Sequence, residues 1–323
     1  MFKNSIGLKA IAAVLLFTFV GIGALYLISN ETVQIDTLRQ QGGISTVADL
    51  SNGKTHYQLE GPESGDLVFL IHGGREPAWT WDEVVPRLHE AGYRTLRYDM
   101  FGRGYSDRPQ DGLYDQAFFE RQALELLEAL DITQPIHIVG YSFGAAIAAR
   151  VTNARASTVQ SLSLLAPRYI RFPVPSIVRV PILGDVLMRY YVKPNALSEV
   201  RQFFTDETLA KKYAARVGTP MGVVGNDHAF SQFVLSDALS GTRSIYEQLG
   251  SLHLPVLLVS GSEDQSITPA HINGVMSHIP QARQIYLANA DHGLVWTHGR
   301  QVATEIIHHL EKTKFGSKFP PQE

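Results

Sequence analysis

Short apolar runs recur along the chain between stretches of helical period, and this alternation predicts a largely parallel sheet covered by helices. Lys54–Glu60, Leu67–Ile71, Arg94–Tyr98, Ile136–Val139, Leu162–Leu165, Val256–Ser260 and Arg283–Leu287 read as strands. Tyr114–Leu130 is the clearest helix, with Phe118, Phe119, Leu126, Leu127 and Leu130 in a stripe opposite Glu120, Arg121, Glu125 and Glu128. Gln301–Lys312 repeats the pattern, its Val302, Ile306, Ile307 and Leu310 facing inward. Roughly ninety residues separate Leu165 from Val256, far more than a crossover helix needs. Pro167, Pro173, Pro175 and Pro181 break the start of that stretch, and Leu197–Phe204, Thr208–Val217 and Phe230–Leu239 then take up helical period, so a helical cap over the sheet is expected.

The N-terminus departs from this pattern. No charge falls between Lys9 and Glu31, and Ala10–Ile28 is almost wholly apolar, which is long enough to span a bilayer. Lys3 and Lys9 precede the run while Glu31, Asp36 and Arg39 follow it, a bias that places the first residues in the cytoplasm and the remainder on the extracytoplasmic, periplasmic or lumenal, side. A cleaved signal peptide and a secreted protein are the alternative. The run is longer than a signal sequence's apolar core, and no small-x-small site follows it, Leu27-Ile28-Ser29 being the nearest. The expected organisation is an N-terminal anchor or signal sequence over 1–30, a polar linker over 31–50, a core over 51–167 and 251–315, a cap over 168–250 and a tail over 316–323.

Composition narrows the function classes. With 323 residues, 45% hydrophobic and 18% charged, the chain can bury a large core. A net charge of -3 argues against nucleic acid, which normally meets a basic face. The absence of cysteine removes disulfides, thiolate metal sites and cysteine nucleophiles. No histidine pair has metal-binding spacing with a carboxylate, and Gly21-Ile22-Gly23 lies in the apolar run rather than after a strand, so neither metal nor organic cofactor is expected.

The chemistry centres on Ile136–Ile147, where an apolar run enters Gly140-Tyr141-Ser142-Phe143-Gly144 and continues into small helix formers. A serine on such a strand-to-helix turn needs neighbours without bulk two residues to either side, and Gly140 and Gly144 meet that need. Gly104-Tyr105-Ser106 begins similarly but continues into Asp107-Arg108, with no second glycine and no apolar run before it. A serine nucleophile requires a base and an acid delivered by loops after other strands. Val256–Ser260 is followed by Gly261-Ser262-Glu263-Asp264, and Arg283–Leu287 by Ala288-Asn289-Ala290-Asp291-His292-Gly293, giving the order Ser, Asp, His. Asp264 is the preferred acid, with Asp291 and Glu263 as rivals.

These loops, together with His72-Gly73-Gly74 and the run Asp99–Asp107, resemble the α/β-hydrolase fold family, specifically its serine esterases and monoacylglycerol-lipase-like members, over roughly Lys54 to Lys312. The resemblance implies a mostly parallel central sheet flanked by helices, with the cap inserted after the sixth strand of that fold. It implies Ser142 as nucleophile, His292 as general base and Asp264 as its partner, with backbone N–H groups of Phe143 and Gly74 as the oxyanion hole and Arg75 as the competitor of Gly74. His72, Arg103 and Asp107 are read as structural, and His298, His308 and His309 as surface residues. Serine at the elbow sets the chain apart from relatives that place aspartate there.

Tyr141, Trp79, Trp81, Phe143 and the apolar stretch Ile177–Val192 suggest a hydrophobic substrate pocket, or else simply pack the cap on the core. Arg171, Arg179 and Arg189 could meet anionic headgroups or lie solvated. The expected substrate is a small-molecule carboxylic ester, apolar or lipid-derived, met at a membrane that the N-terminal helix holds. Hydrolysis of a carbon–carbon bond on the same triad and a non-enzymatic binding protein are the alternatives.

Overall fold

A strand covered on both faces carries apolar residues at every position rather than every second one. In the computed structural model, which describes residues 3–28, 30–195 and 207–314, the strands Leu67–Ile71, Ile136–Tyr141 and Val256–Gly261 are buried at every residue. They belong to one sheet of eight strands among the described residues: β1 Val47–Leu50, β2 Gly53–Glu60, β3 Leu67–Ile71, β4 Arg94–Tyr98, β5 Ile136–Tyr141, β6 Val159–Leu165, β7 Val256–Gly261 and β8 Arg283–Leu287. Their order is β1-β2-β4-β3-β5-β6-β7-β8. β1 and β2 pair antiparallel, β2 joins β4 antiparallel, and every later pairing is parallel. The carboxyl ends of β5, β7 and β8 therefore open on the same edge, where the turns carrying the candidate residues meet.

The helix read at Tyr114–Leu130 runs from Gln116 to Ala129, because Asp115 caps it by accepting the Phe118 N–H at 2.7 Å. Residues 31–50, expected as a linker, instead contain the helix Ile35–Gln41 and strand β1. Neither shows a strong apolar period. The helix is fixed by two buried side chains, Leu38 and Arg39, the latter donating to the Tyr105 carbonyl at 2.9 Å and to Asp107 at 2.7 Å. β1 has only four residues and depends on its hairpin with β2. Between β6 and β7 the cap contributes the helices Leu183–Leu187, Glu207–Gly218 and Asn226–Leu235, whereas Arg243–Gly250, expected within it, buries Ile245, Tyr246 and Leu249 in the main core. The helix expected at Leu197–Phe204 and the tail over 316–323 lie outside the described residues.

The N-terminal apolar run is helical from Lys3 to Leu27, and Val14, Leu15, Leu16, Phe17, Phe19 and Val20 are exposed on it. Among the described residues, however, no helix is long and apolar enough to cross a membrane, so the expected span is not found. The chain after this helix is tied to the cap. Glu31 accepts the N–H groups of Gly225 and Asp227, and Arg189 pairs with Asp227 at 2.6 Å while donating to the carbonyl of Tyr26 at 3.1 Å. Arg189 is thus held within the protein, and Arg179 donates to the Leu235 carbonyl at 3.2 Å.

His309, expected at the surface, is buried in the helix Gly299–Lys314, whose inward stripe it joins. Burial lowers its pKa to about 4, helped by nearby Arg283 and His137, and burial lowers that of His72 to about 4 as well. Both stay neutral in the fold at pH values where the unfolded chain's histidines, near 6.5, take up a proton. Unfolding therefore binds protons between about pH 6.5 and 4, and stability falls as the pH drops through that window, by up to roughly 3 kcal/mol per histidine. Thermal melts at pH 7.5 and 4.5 are expected to show a lower Tm in acid, and His309→Leu is expected to narrow the difference.

Candidate active site

Ser142 stands between the last residue of β5 and the helix Phe143–Ala154 with φ 54 and ψ -117, a conformation that costs a side-chain-bearing residue of the order of 1–3 kcal/mol. The surroundings enforce it. The Ser142 N–H donates to the Leu165 carbonyl at 2.8 Å, and the helix starts at once on the other side. The two flanking glycines are required by close approach. A Cβ at Gly140 would come within 2.6 Å of the Ala148 Cβ, and one at Gly144 would run into the backbone carbonyls of Ile71 and His72 at the end of β3. The turn consequently holds the Ser142 hydroxyl, half-buried, above the sheet edge.

The structure brings the three predicted residues together. Ser142 Oγ lies 3.0 Å from His292 Nε2, and His292 Nδ1 lies 2.8 Å from Asp264 Oδ2. The other oxygen of Asp264 accepts the N–H groups of Ser266 at 2.8 Å and Ile267 at 2.7 Å. Burial alone would push Asp264 up. The hydrogen bond and charge of His292, with the two backbone donors, outweigh it and hold the carboxyl below its ordinary range. An ionised Asp264 takes the Nδ1 proton of His292, which leaves the Nε2 lone pair toward the serine. The acid and base loops are also joined through their backbones, Ser262 N–H to the Leu287 carbonyl and Glu263 N–H to the Ala290 carbonyl, each at 2.9 Å.

The rival acids are placed differently. Asp291 turns onto the Gly293 N–H at 2.8 Å, and burial, with Asp264 close by, raises its pKa. Glu263 is exposed.

Gly74 and Phe143 are neighbours, since a Cβ at Gly74 would lie 3.4 Å from that of Phe143. The turn carrying Gly74 is held by two side chains. His72 Nδ1 donates to the Gly73 carbonyl at 2.6 Å while its Nε2 accepts the Met100 N–H at 2.9 Å, and Arg103 Nε donates to the Gly74 carbonyl at 2.6 Å. In a trans peptide the N–H points opposite its carbonyl, so these bonds fix the directions of the Gly74 and Arg75 N–H groups. Arg103, read in the sequence only as a fold tie, thereby acts on the turn itself. Burial lowers its pKa to about 10, which leaves it charged at neutral pH. Its guanidinium lies 4.9 Å from the ring centre of Phe233 in the cap, and Phe233 meets Phe143 edge-on at 4.9 Å. Phe233 had no sequence signal beyond an apolar position in a helix.

The two residues read as pocket walls have other contacts. Tyr141 is buried and its hydroxyl donates to the His292 carbonyl at 2.7 Å. Residues of a strand alternate faces, and this one turns under the base loop rather than toward an open cavity. Trp79 is clasped by Tyr213 at 5.2 Å and Trp296 at 5.8 Å, with the Arg216 guanidinium 4.7 Å above it, so it packs the cap helix Glu207–Gly218 on the core. Among the described residues no group of three or more His, Asp or Glu is placed to hold a metal ion.

Hydroxyl, imidazole and carboxylate are connected in the series a proton relay requires, an arrangement suited to nucleophilic attack on a carbonyl. Known proteins resemble this chain in sequence and fold. Lipase 1 of Psychrobacter immobilis is 24% identical over 279 residues, 82% of this chain and 83% of the relative. The 2-hydroxymuconate semialdehyde hydrolase of Pseudomonas sp. strain CF600 is 34% identical over 114 residues, 34% of this chain and 40% of that protein. Among solved structures, the esterase EaEST from Exiguobacterium antarcticum superposes with a TM-score of 0.70 at 18% identity, covering 83% of this chain and all of its own, a likeness of fold. The model of the alpha/beta hydrolase family matches residues 68–305, a stretch that holds the elbow, both loops and the strands from β3 to β8, and the chain belongs to that family.

Proposed function

We propose that the protein is a serine hydrolase that cleaves carboxylic esters through an acyl-enzyme, with Ser142, His292 and Asp264 as its catalytic residues. The observation that carries the reading is the unbroken series of hydrogen bonds from Ser142 Oγ through His292 to Asp264, at 3.0 and 2.8 Å. Ser142 Oγ attacks the ester carbonyl carbon as His292 Nε2 takes its proton, and Asp264 stabilises the imidazolium. The oxyanion forms between the N–H groups of Phe143 and Gly74, each such donor contributing on the order of a hundredfold in rate. Collapse breaks the ester C–O bond, and His292 protonates the departing alcohol. Water then repeats the sequence on the acyl-enzyme and releases the acid.

An apolar acyl group suits the surroundings. Phe143, Phe233 and Phe119 meet edge-to-face beside the elbow, at 4.9 Å for Phe143 with Phe233 and 5.3 Å for Phe143 with Phe119. The same reading places the catalytic domain at a membrane, outside the cytoplasm, because the helix Lys3–Leu27 carries a charge-free run from Ala10 to Ile28 and exposes large apolar side chains. Lipid-derived esters are then the substrates already concentrated nearby.

The test is a screen of the detergent-solubilised protein against p-nitrophenyl esters and monoacylglycerols graded by acyl length, with Ser142→Ala as blank. Turnover that rises with acyl length and vanishes in the blank is expected. Hydrolysis of short esters alone refutes the lipid assignment, and labelling by a fluorophosphonate without hydrolysis of any ester refutes the ester assignment. Failure of the protein to bind lipid vesicles would refute the membrane placement.

A further inference from the structure

We infer that Tyr141 is a positioning residue for the general base, setting the height of the His292 imidazole over Ser142; this rests on the triad reading above. Three contacts converge on its side chain. The hydroxyl donates to the backbone carbonyl of His292 at 2.7 Å. The ring lies 5.5 Å from the imidazole at a tilt of 34°. Trp296 meets the ring edge-on at 6.3 Å and is itself stacked on Tyr213 of the cap at 6.2 Å.

The covalent connection makes this arrangement effective. Tyr141 and Ser142 are consecutive, so the backbone that carries the nucleophile also carries the strut that reaches the base residue. Nucleophile and base are thereby closed into one short ring of bonds, whereas the other ties of the base loop run to the acid loop: Glu263 N–H to the Ala290 carbonyl at 2.9 Å and Asn289 N–H to Ser262 Oγ at 3.0 Å. Those ties fix His292 relative to Asp264. Beside the Ser142–His292 bond itself, the Tyr141 bond refers the loop to the elbow. Burial, with Glu76, Asp264 and Asp291 around it, raises the hydroxyl's pKa well above its ordinary value, so it remains a donor throughout the working range. Phenylalanine would fill the same space without the bond.

The experiment compares Tyr141→Phe with the wild-type protein in kcat and KM on an active ester, in the pH profile of kcat/KM, in the rate of fluorophosphonate labelling and in Tm. The expected result is a fall of about tenfold in kcat and labelling rate with KM within about twofold. The acid limb of the profile, which reports the base, is expected to shift, and the downfield proton resonance shared by His292 and Asp264 to move or broaden. An unchanged kcat and acid limb would overturn the inference, as would a loss of activity matched by an equal loss of folded protein. A wild-type protein inert to both ester and probe would instead remove the triad reading on which it rests.

Discussion

Ser142→Ala is expected to abolish covalent labelling by a fluorophosphonate and to lower kcat on esters by a factor on the order of 10⁶, with Asp264→Asn following at about 10⁴. The two losses have different origins. Alanine removes the attacking oxygen and leaves only the oxyanion donors and binding to act on water. Asparagine keeps the shape of the acid but presents no charge to the imidazolium, and its amide can turn an N–H toward Nδ1, which favours the tautomer with its proton on the serine side. Melting should change little in Ser142→Ala, because the turn keeps its Cβ and its backbone bond to Leu165. Asp291→Asn supplies the contrast. Its carboxylate is engaged with the Gly293 N–H rather than the imidazole, so kcat should stay within a few fold of the wild-type value. Steady-state rates of the three variants on one ester decide the matter, and an active Asp264→Asn beside an inactive Asp291→Asn would reverse the assignment of the acid.

What the sequence disclosed and what it concealed follow one physical division. A strand buried on both faces writes itself as an apolar run, and Leu67–Ile71 has the bounds that pattern predicts, as do the more polar Arg94–Tyr98 and the edge strand Arg283–Leu287. The elbow was legible because only glycine fits where β5, the following helix and β3 pass so closely, and its acid and base because each closes a turn directly after a strand. Contacts between distant side chains leave no local period. Arg39 fixing a short helix, Arg103 reaching the Gly74 carbonyl and Tyr141 reaching the His292 carbonyl are single long-range hydrogen bonds, and each of these residues carried a different reading or none. Asp264 could be preferred over Asp291 because Asp291 adjoins His292 and adjacent residues rarely point the same way, yet the reason it differs in acidity lies in the donors around it, Ser266, Ile267 and His292, which only the folded loops assemble.

The same crowding that made the elbow readable makes it the most fragile point of the fold. Gly144→Ala is expected to destabilise the protein by about 3 kcal/mol or more, because the added methyl meets backbone carbonyls of Ile71 and His72 and no rotamer change can relieve it. The helix Phe143–Ala154 would have to move off β3, and that movement would also separate the Phe143 N–H from the turn that carries Gly74. Activity in whatever fraction still folds should therefore drop as well, which distinguishes the variant from one that merely unfolds more easily. Gly222→Ala serves as the control, since a Cβ there meets nothing within 4 Å and the variant should melt with the wild-type protein. Urea titrations followed by activity per folded molecule measure both effects, and a Gly144→Ala protein as stable and as active as the control would mean that strand and helix do not pass as closely as this geometry requires.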